Sequence, residues 1–399
     1  MVTVLKAQVT GPLESFALEF ADKLLGQGYT ASGASQHLGF IAHLSRWMAR
    51  TNLGVSALTP PVITEYLSVR CAAGYVNYRS VKAFRPLLEY LGALGVLPPA
   101  EMPVLHPAVT LLETFRQYLI GERGLTPASA RVYIDAVRPF VVARVHVDGQ
   151  QLGDLSARDI KEFLVTSSAK RSRKLQVTAL RALLNWLHVE GIIPSALVGS
   201  VLPVAAWRLT SLPRALESYQ VQQLLDSCDQ RVATGLRDYA ILLLLSRLGL
   251  RSGEVARLSL DDIDWRVGEM VLQGKGNRLE RLPLPVDVGK AILDYVRLGR
   301  PCTTKARNVF VRVKAPHRGL TSGGLSMVVF DAGQRAGLGK IHAHRLRHTA
   351  ATAMLRAGSP LAEVSQVLRH RRVLTTAIYA KVDRDGLRVL ARQWPGAAS

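Results

Sequence analysis

The first half of the chain repeats itself at an offset of 96–97 residues, and that repeat restricts the fold more than any other feature. Leu87-Leu88-Glu89-Tyr90-Leu91, followed by Gly95-Val96-Leu97-Pro98, matches Leu183-Leu184-Asn185-Trp186-Leu187, followed by Gly191-Ile192-Ile193-Pro194. Leu58-Thr59 with Ile63 to Leu67 matches Leu155-Ser156 with Ile160 to Leu164, and Tyr29-Thr30 matches Leu125-Thr126. Apolar residues recur at helical spacing throughout, and each copy stops at a Gly-x-x-Pro terminator. The expectation is two small domains of four or five helices, roughly 12–100 and 108–198, joined by the Pro-rich stretch 98–107. Chance likeness between two amphipathic helix sets is the competing explanation. The shared Leu-Leu-x-aromatic-Leu-x3-Gly-apolar-apolar-Pro string argues against it.

The copies differ in charge. The second carries Lys170-Arg171-Ser172-Arg173-Lys174 ahead of its last long helix, a basic loop suited to phosphate contacts. The corresponding stretch of the first, Gly74 to Tyr78, has no basic residue, and residues 1–106 hold only 8 Lys/Arg against 6 Asp/Glu. The second copy therefore reads as a DNA clamp, and the first as an accessory DNA or protein contact.

Beyond a linker ending in Leu212-Pro213-Arg214 the pattern changes. Helical periodicity covers 217–228 and 233–248, Gly249 ends the second helix, and another begins over 251–259 with Ser252 as N-cap. Alternation and turn residues from Trp265 to Pro285 predict two or three antiparallel strands. A helix from His344 stops at Gly358. Ser359-Pro360 restarts one as N-cap and first-turn proline, and Thr375 or Thr376 opens a short helix bearing Tyr379. The predicted fold class is mainly α: an N-terminal helical domain (1–106), a second helical domain (107–199), a linker (200–214), and a mixed, mainly helical unit with a small antiparallel sheet (215–399).

Net charge is +21, and residues 201–399 hold 31 Lys/Arg against 16 Asp/Glu. Such an excess attracts nucleic acid through phosphate contacts and counterion release. The three cysteines, Cys71, Cys228 and Cys302, lie far apart without metal-type spacing. A disulfide framework is not expected, and a reducing, cytosolic compartment is. The N-terminus shows no signal-peptide pattern, and the longest apolar run, Tyr239 to Leu245, is far too short to cross a bilayer, so no membrane partner is expected.

The chemistry-bearing residues gather in the last third. Arg251, Lys275, His344, Arg347, His370 and Tyr379 form a set with no carboxylate cluster, suited to metal-free chemistry on a phosphodiester. Two arginines, Arg251 and Arg347, can clamp one phosphate through planar forks. Lys275, at the glycine-flanked tip of the predicted hairpin, can protonate a leaving oxygen. Tyr379 has an ordinary pKa near 10 and needs clustered positive charge and a proton acceptor to attack phosphorus. Glu254 orients Arg251 or the lysine. Arg278 and Arg281 read as backbone-phosphate contacts, as do Arg345 and the basic loop Lys170, Arg171, Arg173 and Lys174. His342, His344 and His348 raise the question of a metal. No cysteine or acidic third ligand accompanies them and Arg345 and Arg347 would repel a cation, so no metal and no other cofactor is expected.

These residues resemble the tyrosine recombinase (phage integrase, Xer-like) family of DNA strand-exchange enzymes. Gly249-Leu250-Arg251-Ser252-Gly253-Glu254 resembles the family's first arginine box, and Gly274-Lys275-Gly276-Asn277-Arg278-Leu279-Glu280-Arg281 its hairpin lysine segment. His344-Arg345-Leu346-Arg347-His348-Thr349 resembles its His-x-x-Arg box, and Leu368-Arg369-His370 with Thr376-Ala377-Ile378-Tyr379 its final histidine and nucleophile. The resemblance implies that Tyr379 attacks the scissile phosphate to give a 3′-phosphotyrosyl link. Arg251, Arg347 and His370 would then hold the non-bridging oxygens, Lys275 serve as general acid, and His344 assist the tyrosine's proton transfer. It further implies SAM-like core-binding architecture in the helical domains, a clamp around double-stranded DNA carrying specific recombination sites, and a homo-tetramer (a dimer of dimers). Related recombinases as further members stay open.

Two departures stand out. Arg369 replaces the usual glycine, which alters the turn or adds a phosphate contact, and Lys381 stands where a histidine follows the nucleophile. The duplicated helical domain suggests a mobile-element (transposon) recombinase. A non-catalytic DNA-binding partner protein and a type IB topoisomerase are the alternatives.

Overall fold

Local capping explains why the two copies of the repeat fold alike. In the computed structural model, which describes residues 8–75, 80–97, 107–145, 152–166, 173–202, 215–274 and 279–369, the first copy forms α1 (Ala17–Gly26), α2 (Ala31–Arg50), α3 (Pro60–Ala72) and α4 (Arg85–Ala93). The second forms α5 (Pro107–Gly121), α6 (Pro127–Arg144), α7 (Ala157–Thr166) and α8 (Arg173–Val189). Thr30 caps α2 by accepting from Gly33 N–H, and Thr126 caps α6 by accepting from Ser129 N–H. Each such cap contributes about 1 kcal/mol. At the other end, Gly95 and Gly191 both adopt φ of 69°. That left-handed turn lets the next residue's N–H reach back to Leu91 and Leu187, respectively. Leu87, Tyr90 and Leu91 are buried in one copy, and Leu183, Trp186 and Leu187 in the other.

The chain divides into two compact units, residues 1–98 together with 211–399, and residues 99–210. Each copy of the repeat has its own apolar core. Within the first unit, α1–α4 meet the segment 303–318. Arg318 pairs with Glu89 at 3.4 Å, and His317 N–H donates to the Gln27 carbonyl at 3.5 Å. Gly28, at φ of 90°, is obligatory there, because a Cβ would collide with the His317 ring.

The remainder of the first unit is built around α10 (Ala233–Arg247), whose Ala240 to Leu245 are all buried. A helix apolar on every side belongs at a domain centre, and α9 (Ser218–Asp226) packs against it. The short α11 (Ser252–Arg257) follows the Gly249 turn. Its N-cap is Arg251 rather than the expected Ser252, because the Arg251 N–H is held by Glu254 three residues on; the Ser252 hydroxyl instead meets Ser322. Strands β1 (Ile263–Asp264), β2 (Glu269–Gln273) and β3 (Leu279–Pro283) form an antiparallel sheet in the order β1-β2-β3, the predicted hairpin region. Register pairs Met270 with Leu282 and Leu272 with Glu280, setting these four on one face. α12 (Val286–Asp294), α13 (Ser322–Arg335), α14 (Ala343–Arg356) and α15 (Leu361–Val367) are the remaining described α-helices of the unit. The last described helix starts one residue later than expected, with Pro360 as its N-cap. Among the described residues no helix is long and apolar enough to cross a membrane.

Candidate active site

Two turns meet beside α14, one ahead of α11 and one at the end of α15. Gly249, at φ of 59°, ends the turn before α11, and a Cβ there would sit 2.7 Å from Leu368 and 3.3 Å from Ala350. Glycine therefore serves twice, for conformation and for the close approach of the α15 terminus. Leu368 itself is fixed by a small cluster with Ala351 and Val364.

Arg347, on α14, is 2% exposed and braces both turns. Its guanidinium donates to the Gly249 carbonyl at 2.5 Å and to the Leu368 carbonyl. Arg251 is 42% exposed and rests on Glu254, 2% exposed, at 2.7 Å. It also donates to the carbonyl of Arg369 at 3.4 Å. Both arginines thus hold consecutive carbonyls of the turn that leads toward residue 370.

Arg369 corrects the sequence expectation. Its side chain does not face outward for phosphate. It is buried against Glu254 at 2.6 Å and Glu280 at 3.2 Å, on a left-handed backbone with φ of 54°. Burial pulls its pKa below the ordinary arginine value despite the two carboxylates. The physical reason is local: the left-handed turn points the side chain into the junction, where two acids compensate the charge. A ring results, in which Arg251 and Arg369 share Glu254 while Arg251 also grips the Arg369 backbone. Glu280 ties this ring to β3, the strand that leaves the hairpin tip.

His344 and His348 lie one turn apart on α14 with ring centroids 4.3 Å apart, edge to face. Burial, then the charges of Arg347 and Arg251, lower the pKa of His344. Burial, then His344 and Arg347, push that of His348 down to about 4. At neutral pH His344 is therefore an uncharged imidazole beside two guanidiniums, fit to accept a proton. Among the described residues no group of three or more His, Cys, Asp or Glu could hold a metal ion.

Other expected contacts fall elsewhere. Arg281 is exposed on β3 and pairs loosely with Glu269 at 3.5 Å. Arg345 is half-buried on α14. Arg173 opens α8 and donates to the Leu164 carbonyl. Lys174 lines a groove of about 570 Å³ with Tyr118, Arg123, Thr178, Arg181 and Asn185. Positions 174, 178, 181 and 185 share one face of α8, which presents two cations and no carboxylate. Lys170, Arg171, Lys275, Arg278, His370 and Tyr379, with the short helix expected around Tyr379, lie outside the described residues. Sequence reasoning gave Glu280 no role and missed the carbonyls of Gly249 and Leu368. A carboxylate inside the basic hairpin string was the available signal for Glu280.

Helical lobes ahead of a mainly helical unit, with an arginine-histidine cluster beside a three-stranded sheet, define an integrase-type class of protein. Residues 214–385 match the phage integrase family and residues 112–191 the phage integrase N-terminal SAM-like domain. The chain belongs to this family, the tyrosine recombinases. It is 38% identical over 397 residues to "Putative integrase/recombinase y4rA" of Sinorhizobium fredii, covering 97% of this chain and 96% of that protein. It is 30% identical over 296 residues to tyrosine recombinase XerD of Listeria monocytogenes, covering 71% of this chain and 98% of XerD. In fold it is similar to the XerH recombinase bound to palindromic difH substrate (TM-score 0.55, 19% identity, 82% of this chain and 93% of that one). It is likewise similar to a lambda integrase tetramer bound to a Holliday junction (TM-score 0.52, 15% identity, 81% and 91%).

Proposed function

We propose that the chain is a site-specific DNA recombinase that cuts and rejoins double-stranded DNA through a 3′-phosphotyrosyl intermediate on Tyr379. The observation that carries this reading is the convergence of Arg251, Glu254, His344 and Arg347, from segments nearly 100 residues apart, in a member of the tyrosine recombinase family. Arg251, exposed and braced by Glu254, offers its open side to a phosphate oxygen. Arg347 holds the two turns and adds a second guanidinium at the same junction. Neutral His344 receives the phenol's proton as the Tyr379 oxygen bonds to phosphorus, and the 5′-oxygen leaves with a proton from Lys275. His370 adds a hydrogen bond to the phosphate. The energy of the broken P–O bond is kept in the phosphotyrosine, so neither ATP nor metal is required.

The proposed organisation is a helical domain over 1–106, a core-binding domain over 107–199, a linker over 200–214 and a catalytic domain over 215–399. The α8 groove with Lys174 and Arg181 then faces the DNA backbone. The working assembly is a tetramer on two recombination sites, with related recombinases as alternative members, acting in the bacterial cytoplasm on nucleoid DNA.

Nicked suicide duplexes carrying the recombination site test the reading. Wild-type protein should form a covalent adduct that survives denaturing electrophoresis and EDTA, and Tyr379→Phe should form none. An adduct retained by Tyr379→Phe, or absent from wild type on its own site, would remove the proposal. Exchange between two labelled duplexes separates recombination from simple strand relaxation.

A further inference from the structure

We infer that the first copy of the repeat carries a second duplex-DNA contact, at the corner of α2 and α3, made by Arg46, Arg50 and Arg70 with Tyr75. The inference rests on the reading that this chain handles DNA, and extends it to a surface the basic-loop comparison left unassigned.

Side chains from two helices converge there. Arg70 lies over the Tyr75 ring at 4.3 Å and the Phe40 ring at 5.1 Å. His43 meets Tyr75 edge-on at 5.7 Å, and Arg46 lies 3.3 Å from the His43 Nδ1. Arg50 follows Arg46 by one turn, and His43, Arg46 and Arg50 are all exposed. Tyr75 is 43% exposed although it is a large ring at a surface corner. The buried Nε of Arg70 has no hydrogen-bond partner among the described residues.

Among the described residues no carboxylate is paired with Arg46, Arg50 or Arg70. The sequence contains no Asp or Glu between Asp22 and Glu65, so α2 has none at all. The charges that bear on His43 and Tyr66 come from Arg46 and Arg70, with the Tyr75 phenol also acting on Tyr66. Glu65, exposed on α3, is not among them. Cations gathered against one another without acids are costly unless a polyanion meets them. Guanidiniums with an exposed aromatic suit phosphates and an adjacent sugar or base face.

The repeat shows why the charge sits here. By the offset of 96, Arg85 and Glu89 of the first copy correspond to Arg181 and Asn185 of the second. In the second copy that helix face lines the cationic groove. In the first it is neutralised by an Arg85–Glu89 pair at 2.7 Å and occupied by Arg318. Counting on by 97, Arg70 to Tyr75 fall where the second copy runs into Lys170-Arg171. In sequence, then, each copy has basic residues near this point, Arg70 within α3 of the first and Lys170-Arg171 after α7 of the second. Those of the first are too scattered to read as a basic run.

Full-length protein tests this on a random-sequence duplex, with affinity measured across a salt series. Arg46→Ala/Arg50→Ala, both exposed and so harmless to folding, should flatten the slope of log K against log salt by up to about 2, since each phosphate neutralised by a cation adds roughly 0.9. Tyr75→Ala should weaken binding several-fold with the slope unchanged. An unchanged slope and affinity in the double variant would overturn the inference, as would a variant that binds DNA normally but no longer assembles with a second copy. Loss of adduct in wild type would instead count against the proposed function, so the two failures are distinguishable.

Discussion

Arg369 shows how one residue reshapes a junction. An L-residue in the left-handed region costs about 1–2 kcal/mol, which explains why glycine suits this turn. Here the cost is offset by the ion pairs with Glu254 and Glu280. Replacing Arg369 by Ala keeps the strain and removes the pairing. Because Glu254 retains Arg251, the expected loss is at the low end for a buried pair, about 3 kcal/mol. Arg369→Gly should recover about 1 kcal/mol of that, and urea unfolding of the two variants checks the order. Glu254→Gln acts differently, because it removes the carboxylate that aims Arg251. Adduct formation should slow by roughly two orders of magnitude, as when one preorganised charged group is removed, while DNA affinity at low salt stays near wild type. Equal losses in both would make Glu254 a binding rather than a positioning residue.

At the scale of elements, α14 carries His344, Arg347 and His348. His348 is held neutral in the folded chain with a pKa of about 4, against 6.5 for an exposed histidine. Its folded value is the lower, so the unfolded chain takes up the proton first, and stability falls as pH drops from about 6.5 through about 4. His348→Gln should flatten that part of a melting-temperature profile. α14 and the hairpin were legible in sequence because periodicity and turn residues are local properties. Ser252 and Ser359 were each expected as caps, yet Arg251 and Pro360 hold those positions. Capping follows backbone angles and side-chain reach, which residue type alone does not set. The inward turn of Arg347 was not legible, since the carbonyls it meets lie 98 and 21 residues away. Arg369 was read outward for the same reason: its partners Glu254 and Glu280 come from other elements.

For the whole molecule, charge is the governing property. With a net charge of +21, affinity for random duplex should fall steeply as salt rises. Lys174→Ala/Arg181→Ala in the α8 groove should reduce the salt slope by up to about 2. A salt series on random duplex reads this directly, and an unchanged slope would exclude the groove from backbone contact. The repeat itself was legible because it is written in apolar spacing and terminators. Basic residues contiguous in sequence, as at 170–174, stand out on reading, whereas Arg46 and Arg70, brought to His43 from two helices, do not.

The matching threonine caps and left-handed glycines of the two lobes have a practical outcome. Start and stop of each bundle are set by local hydrogen bonds at Thr30, Thr126, Gly95 and Gly191, so solvent-facing residues away from the 303–318 contact are free to vary independently. Exchanging those outer residues between lobes should transplant their preferences for DNA while leaving both bundles folded, which makes the pair a natural starting point for retargeting.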